Sequence, residues 1–209
     1  MLRWLDRVLY RHPFEGASAR RYATAERPAF GALDDRLLDT LAPALASARR
    51  LLDLGCGPRA FAARAAARFP HLEVIALDPS RDFARPQPGL EVVRASGEAL
   101  PLADGSIDVA ICLSSIRHVR DRRATLRELR RVVRERLCIV ELDPRADARR
   151  IAAHARHLGS PLLRRAFGPL VVRTAPTAET IAALAEQVGW RLRVRHDDPE
   201  QPVYILDLG

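Results

Sequence analysis

The chain has 209 residues, of which 48% are hydrophobic, and its formal net charge is +8. This length suffices for one well-formed hydrophobic core, and no apolar run reaches the roughly 18 residues of a membrane span, so no span is expected. All 34 basic residues are arginine, and they are spread along the chain, so the charge favours a solvated basic surface over a nucleic-acid site.

A helical extension is predicted for the first 48 residues. Apolar side chains recur at helical spacing over 2–11 and again over 29–47. The first ten residues carry charges and no long apolar segment, so a secretory signal is not expected and the default location is cytoplasmic. The three cysteines form no disulfide pattern, and no His/Cys spacing indicates a metal site.

From residue 50 onward, short apolar runs alternate with helical patterns. This alternation predicts a parallel sheet covered by helices on both faces. The strand-like runs lie at 50–55, 72–78, 90–95, 107–114 and 137–143, and the helical ones at 58–69, 79–85 and 122–134.

The last third of the chain departs from this alternation. Residues 144–176 are interpreted as an insertion over the carboxyl edge of the sheet, where open α/β sheets bind their ligands. A capped helix is predicted over 177–188. Two strands follow, at 190–196 and 202–208, and the stretch DDPEQ between them is too short for a helical crossover. These two strands should therefore be antiparallel neighbours.

The stretch LLDLGCGPR, residues 51–59, places a glycine turn between the first strand and the next helix. Glycines let a ligand approach the backbone closely and leave the amino end of the helix open to it. The spacing Gly55-x-Gly57-x-x-Ala60, with Asp78 ending the second strand, fits the loose dinucleotide fingerprint. S-adenosylmethionine is bound by the same kind of turn, so the turn alone leaves both ligands open.

Three segments carry a family resemblance: LLDLGCGPRAFA, LEVIALDPS and RASGEALPLADGSIDVAICLSSIRHVRD. In this order they resemble the class I S-adenosylmethionine-dependent methyltransferases, in particular the small-molecule subgroup typified by ubiquinone/menaquinone-biosynthesis methyltransferases. The resemblance covers 48–143. It implies a Rossmann-like α/β fold with a seven-stranded, mostly parallel sheet, helices on both faces and an antiparallel last strand. It also implies S-adenosyl-L-methionine as cofactor and methyl transfer to a small-molecule acceptor.

The resemblance assigns roles to individual positions. Asp53 would lie near the methionine ammonium, and Asp78 would accept hydrogen bonds from both ribose hydroxyls. Leu113 and Ser114 would form the floor under the methyl group, and Tyr22 would belong to a lid. The implied cofactor residues are Asp53, Gly55, Cys56, Gly57, Asp78, Pro79, Ser96, Gly97, Glu98, Leu113, Ser114 and Tyr22.

The whole chain, 1–209, is interpreted as one methyltransferase domain. Its parts are a helical lid at 1–48, a cofactor-binding half at 49–143, a substrate cap at 144–176 and a C-terminal helix with two strands at 177–209.

His118 and Glu141 are the predicted catalytic residues. His118 follows the fourth strand, where relatives often carry a histidine, and a neutral imidazole suits proton removal near pH 7. Glu141 ends the fifth strand at the same edge and could orient an acceptor. Arginines near the presumed mouth, among them Arg145 and Arg150, would suit an anionic acceptor.

Alternatives to an active methyltransferase stay open at this point. Arg59 and Ser96 depart from the family pattern, which usually has glycine and aspartate there, so a non-catalytic binding or partner protein is one alternative. An NAD(P)-dependent oxidoreductase is a second, although a chain without lysine has no Tyr-x-x-x-Lys pair. A nucleic-acid methyltransferase is less expected, because LSSI replaces the Asn/Asp-Pro-Pro-Tyr/Phe motif after the fourth strand.

Overall fold

A computed structural model describes residues 14–24, 28–156, 161–173 and 175–209. The helix predicted over 2–11 and part of the predicted insertion, 157–160, lie outside these residues. The described helices are α1 (Gly16–Thr24), α2 (Pro28–Ser47), α3 (Ala60–Arg68), α4 (Arg122–Val132), α5 (Ala148–Ala155), α6 (Pro161–Ala166) and α7 (Ala178–Glu186), with a 3-10 turn at Ile116–His118 and a π-helical segment at Phe167–Val172.

Seven strands form one sheet in the order β3-β2-β1-β4-β5-β7-β6. Strands β1 to β5 run parallel, and β7 is antiparallel to both of its neighbours, which confirms the predicted fold. The strands are β1 (Arg50–Leu54), β2 (Glu73–Leu77), β3 (Glu91–Val93), β4 (Ile107–Leu113), β5 (Val133–Leu142), β6 (Leu192–Asp197) and β7 (Val203–Leu208).

Alternating side chains of the strands pack into two apolar cores, one on each face of the sheet. In β1, Leu51 packs with the leucines of α2 and with Phe61 of α3, whereas Leu52 packs with α4 and α7 on the other face. Both faces are thus covered, which explains why the parallel strands are apolar almost throughout. Ile151 of α5 and Val172 join the α2 face, so the described part of 144–176 packs there.

Local capping sets the ends of the covering helices. The Asp121 carboxylate accepts a hydrogen bond from the Ala124 N–H at 2.9 Å and begins α4. The Thr177 hydroxyl accepts one from the Thr180 N–H at 3.2 Å and begins α7, at the position that the sequence predicts. Such caps satisfy amide groups that have no partner within the helix.

Two predicted boundaries are wrong. The expected short helix at 79–85 is a turn in which the Ala84 N–H donates to the Ser80 carbonyl at 2.9 Å, since so short a segment between Pro79 and Pro86 cannot propagate a helix. Strand β5 begins at Val133 rather than at 137, because the chain passes from α4 directly into the strand.

The sheet order places a ligand crevice between β1 and β4. The chain leaves β1 toward β2 on one side, whereas β4 lies on the other. At such a reversal the loops after the two strands diverge and leave a crevice outside their carboxyl ends.

Candidate active site

A cavity of about 490 Å³ opens at this crevice. Its walls come from α1, α2, the glycine turn after β1, the end of β2, residues 94–98 and the end of β4. The volume falls in the range of small-ligand sites. The site is therefore assembled from elements that are far apart in the chain.

The glycine turn brings the backbone against the end of β4. Gly55 has a φ of +72°, and a Cβ added there would lie 2.4 Å from the Cβ of Ser115. The hydroxyl of Ser115 in turn donates to the Leu54 carbonyl at 2.6 Å, which holds the ends of β1 and β4 together. Only glycine fits this position, because it tolerates both the left-handed backbone and the close approach.

The Asp78 carboxylate joins the glycine turn to the end of β2. Its Oδ2 accepts from the Gly57 N–H at 3.0 Å, and its Oδ1 accepts from the Ser80 N–H at 2.8 Å. Burial raises the pKa of Asp78 above its ordinary value. Each carboxylate oxygen has a further lone pair, so the group can still accept two hydrogen bonds from a diol.

Arg59 begins α3 without entering the cavity. Its backbone is left-handed, with a φ of +64°. Its guanidinium donates to Gln87 Oε1 at 2.6 Å and to the Phe83 carbonyl, and Arg59 is not among the described residues that line the cavity. The side chain that departs from the family pattern is thus directed to the segment after β2.

Two buried carboxylates line one end of the cavity. Asp53, at the end of β1, is 2% exposed, and Asp34, from α2, is 3% exposed. Burial, together with repulsion from Asp34 and then Asp78, raises the pKa of Asp53 to about 8. A hydrogen bond from the Ala62 N–H acts in the opposite direction and lowers this pKa. The sequence contained a signal for Asp34, because it interrupts the apolar side of α2 at helical spacing from Leu38 and Leu41.

The opposite end of the cavity is bounded by residues 96–98. The Ser96 hydroxyl donates to Glu98 Oε2, and Glu98 Oε1 accepts from the N–H groups of Arg120 at 2.8 Å and Asp121 at 3.2 Å. A Cβ on Gly97 would lie 3.0 Å from Thr125 Cγ2, so this loop packs closely on α4. Glu98 therefore ties the loop after β3 to the segment that follows β4.

An aromatic cluster covers the cavity. The Phe14 ring meets the rings of Tyr22 and His118 edge-on, at centroid distances of 5.5 Å and 4.9 Å, and the Tyr22 and Phe83 centroids are 6.0 Å apart. The Ser80 hydroxyl donates to the Phe14 carbonyl at 2.5 Å and fixes the cover to the end of β2. The cover and the glycine turn thus border the same cavity.

Comparison with known proteins decides the family of the chain. A family model described as a methyltransferase domain matches residues 52–137. The ubiquinone/menaquinone biosynthesis C-methyltransferase of Syntrophotalea carbinolica is 31% identical in an alignment of 175 positions that covers 74% of this chain and 73% of that protein. The chain belongs to the class I S-adenosylmethionine-dependent methyltransferases.

Two further similarities agree with this assignment. A protein of Mycobacterium sp. (strain JLS) named as an uncharacterized methyltransferase is 35% identical over 130 residues, which are 61% of this chain and 52% of that relative, so the chain spans about half of its length. The crystal structure of a S-adenosylmethionine-dependent methyltransferase from Aquifex aeolicus shares the fold, with a TM-score of 0.63 and 13% identity over 98% of this chain and 96% of that one.

The residues of this methyltransferase fit S-adenosylmethionine. The cofactor carries an ammonium group and a ribose diol, and the cavity offers the buried carboxylates of Asp53 and Asp78. The hydroxyl of Ser114 is buried and has no hydrogen-bond partner among the described residues, as expected of a group that faces a ligand. The predicted family, cofactor and enzyme class are confirmed.

The cavity gathers the cofactor residues that the resemblance implied. All of them line it: Asp53, Gly55, Cys56, Gly57, Asp78, Pro79, Ser96, Gly97, Glu98, Leu113, Ser114 and Tyr22. It is also lined by residues that the sequence reasoning missed, including Phe14, Asp34, Arg64, Phe83, Arg94 and Arg120. The roles of the individual side chains stay predictions.

The two predicted catalytic residues have different surroundings. His118 lines the cavity, and burial, reinforced by Arg117 and Arg122, lowers its pKa to about 4. Glu141 is fully buried outside the set of cavity-lining residues, and its carboxylate accepts from the N–H groups of Arg117 at 3.2 Å and Leu142 at 2.8 Å. Burial raises the pKa of Glu141 to about 7.

The arginines expected at the mouth are engaged elsewhere. Arg145 pairs with Glu179, and the Arg150 guanidinium donates to the carbonyls of Asp198 and Gln201. The described arginines that line the cavity are Arg64, Arg94 and Arg120. Among the described residues no group of three or more His, Cys, Asp or Glu side chains could hold a metal ion, and none of the described helices is long and apolar enough to cross a membrane.

Proposed function

We propose that this methyltransferase transfers the methyl group of S-adenosylmethionine to a small-molecule acceptor. The observation that carries the proposal is the aromatic cover, because Phe14, Tyr22 and His118 close over the same cavity as the predicted cofactor residues. An acceptor must then fit beside the cofactor under this aromatic cover. The relative from Syntrophotalea carbinolica, named for ubiquinone/menaquinone biosynthesis, supports a small acceptor.

The cofactor residues divide the cavity into three parts. Asp53 and the backbone of the glycine turn hold the methionine half, and Asp78 binds the ribose diol through the free lone pairs of its two oxygens. Residues 96–98 with Pro79 border the adenine. Leu113 and Ser114, at the end of β4, would form the floor under the sulfonium of the bound cofactor, and Tyr22 would cover it.

The chain contributes alignment and the exclusion of water. S-adenosylmethionine supplies an electrophilic methyl group, and the protein has to hold the acceptor in line with it. His118 faces the cavity with a neutral imidazole at pH 7, because its pKa is about 4. It is placed to accept a hydrogen bond from the acceptor and so to orient it, whereas a pKa of about 4 makes it a weak base for proton removal at pH 7.

Glu141 lies outside the cavity lining but contacts the turn that carries His118. Its carboxylate accepts a hydrogen bond from the Arg117 N–H at 3.2 Å and so holds the turn Ile116–His118 in place. We therefore interpret Glu141 as a positioning residue for His118. Arg94 and Arg120 lie in the cavity wall, which also carries the carboxylates of Asp78 and Glu98, so an acceptor with anionic character stays a prediction. All three cysteines are unpaired, which supports the predicted cytoplasmic location.

Calorimetric titration with S-adenosylhomocysteine, beside NAD and NADP, tests cofactor binding first. We expect micromolar binding of S-adenosylhomocysteine only, and at least about tenfold weaker binding to Asp78→Ala, since each factor of ten is roughly 1.4 kcal/mol. Asp104→Ala is the matched control, because Asp104 is an exposed aspartate outside the set of cavity-lining residues.

Methyl transfer from labelled S-adenosylmethionine then tests the acceptor class. Small phenols and quinols, total tRNA and a protein extract are offered in parallel. Labelling of a small molecule alone is expected. Labelling of RNA or protein alone would refute the small-molecule proposal.

A further inference from the structure

Two side chains in the segment after β2 connect this segment to the aromatic cover. Asp82 Oδ2 accepts a hydrogen bond from the Gly16 N–H at 2.6 Å, and the Ser80 hydroxyl donates to the Phe14 carbonyl at 2.5 Å. The Asp82 N–H in turn donates to the Ser80 hydroxyl at 3.2 Å. Residues 80–82 thus bind both the residue that begins α1 and the residue that carries one ring of the cover.

Asp82 caps α1 from a distant part of the chain. The first amides of a helix have no partner within it, and a carboxylate at that end also interacts favourably with the helix dipole. The Asp82 side chain is 7% exposed, and its Oδ1 lies 3.0 Å from the Arg85 guanidinium and 4.0 Å from that of Arg20. The hydrogen bond from the Gly16 N–H, reinforced by Arg85, lowers the pKa of Asp82. The carboxylate is therefore charged at neutral pH.

Apolar packing contributes little to the attachment of α1. Among its described side chains Ala19 is fully buried, whereas Ala17, Arg20, Tyr22 and Ala23 are exposed. A helix with so little buried apolar surface has a low free energy of local opening. The polar contacts at 80–82 therefore supply much of what holds α1 in place.

The position of α1 matters to the cavity, because this helix and the residues before it form part of the wall. Phe14, Glu15, Tyr22 and Ala23 line the cavity, whereas Asp82 is outside the set of lining residues. If α1 moves away, a bound ligand loses these contacts and becomes more exposed to water.

The segment that holds α1 also reaches the proposed ribose site. Asp78 Oδ1 accepts a hydrogen bond from the Ser80 N–H at 2.8 Å, while the Ser80 hydroxyl binds the Phe14 carbonyl. One short segment, 78–82, thus carries the carboxylate expected to bind the cofactor and both groups that fix the cover.

We propose that Ser80 and Asp82 form a latch that holds α1 over the bound cofactor and thereby slows its dissociation. Asp82 is a positioning residue, because it acts through Phe14 and Tyr22 and not by contact with the ligand. The inference rests on the proposed cofactor site. It adds a control of cofactor residence time by a side chain outside the cavity lining.

Asp82→Asn tests the latch, because it removes the charge and keeps the shape of the side chain. Surface plasmon resonance with S-adenosylhomocysteine over the immobilised protein measures both rates. The dissociation rate should rise at least about fivefold, and the association rate should stay within about twofold of the wild type. Asp104→Asn is the matched control, since Asp104 is an exposed aspartate that pairs with Arg131. An unchanged dissociation rate in Asp82→Asn would overturn the latch.

A double-mutant cycle with Tyr22→Ala shows whether Asp82 acts through the cover. Without the Tyr22 ring, the factor by which Asp82→Asn raises the dissociation rate should be at least about twofold smaller, because a contact that the latch positions is already gone. Fully additive effects would overturn the proposed route through the cover. Ser80→Ala provides a second variant should Asp82→Asn not fold. It should also raise the dissociation rate, and an unchanged rate would overturn the role of Ser80.

Hydrogen exchange measures the latch without a ligand. The amides of α1 should exchange at least about fivefold faster in Asp82→Asn than in the wild type, while those of β1 and β4 keep their rates. Equal acceleration in helix and strands would indicate global destabilisation and would overturn the latch. Failure of the wild type to bind S-adenosylhomocysteine would refute the proposed cofactor site itself. Normal wild-type binding with unchanged exchange of α1 in the variant would overturn the latch alone.

Discussion

Replacement of Arg59 tests whether the glycine turn tolerates the side chain that departs from the family pattern. Arg59→Gly removes the guanidinium and relieves the left-handed backbone at φ +64°, whereas Arg59→Ala removes the guanidinium and keeps the strain. A left-handed backbone at a non-glycine residue costs about 1–2 kcal/mol of stability. Glycine avoids this cost, but it lowers stability by about 0.5–1 kcal/mol because its unfolded chain has more conformational freedom. The glycine variant should therefore be more stable than the alanine variant by about 0.5–1 kcal/mol.

Both variants lose the same contacts, so their difference isolates the backbone. The guanidinium bonds to Gln87 and to the Phe83 carbonyl disappear in each, at about 1–3 kcal/mol against the wild type. For a chain of this length, the Gly–Ala difference corresponds to about 1–4 °C in Tm. Thermal unfolding followed by circular dichroism, with urea unfolding at 25 °C, measures it.

Two results would refute this reasoning. An alanine variant as stable as the glycine variant would mean that residue 59 does not keep a left-handed backbone. Since Arg59 does not line the cavity, the dissociation constant of S-adenosylhomocysteine should change less than about threefold in Arg59→Gly, which is roughly 0.65 kcal/mol. A larger change would show that the guanidinium reaches the cofactor.

Three further predictions follow from the geometry of the site. Gly55→Ala should lower the free energy of unfolding in urea by about 1–3 kcal/mol more than Gly89→Ala does. Both glycines have positive φ, but of the two only Gly55 would bring the new Cβ against another side chain. Equal losses would contradict the close approach to Ser115. The pH profile of kcat/KM should show no step from His118 near pH 6.5 and a loss only toward pH 4, where the imidazole becomes protonated; a step near 6.5 that vanishes in His118→Gln would oppose this. Asp53 has a raised pKa, so the folded state keeps a proton that the unfolded state releases, and this contribution to stability, present below pH 4, is lost as pH rises to about 8. Asp53→Asn should remove that slope, at most about 1.4 kcal/mol per pH unit, and an unchanged slope between pH 5 and pH 8 would contradict the raised pKa of Asp53.

The site residues that the sequence predicts all belong to short continuous motifs. Asp53, Gly55 and Gly57 share one strand-turn unit, and Asp78 ends the next strand, so the parallel sheet brings them to one edge. The alternation of apolar runs with helices likewise determines the layered fold, and the short DDPEQ connection determines the antiparallel last pair. These features depend on local patterns and on the geometry of parallel strands.

Side-chain direction and electrostatics are not contained in such patterns. The sequence leaves open whether Arg59 enters the cavity, and packing directs its guanidinium to Gln87 and Phe83. Glu141 ends a strand at the expected edge, yet it points into the protein and binds the N–H groups of Arg117 and Leu142. The two glutamate oxygens satisfy buried amides, a role that depends on which neighbours the fold supplies.

What the sequence by itself determined is the family, the cofactor and the set of residues at the ends of β1, β2 and β4, because each of these belongs to a short continuous segment. Only the tertiary structure decided that Asp34 joins Asp53 and that Phe14 lies against His118. These pairs come from elements far apart in the chain. Their burial, and with it the raised pKa of Asp53 and the lowered pKa of His118, exists only once the helices pack over the sheet.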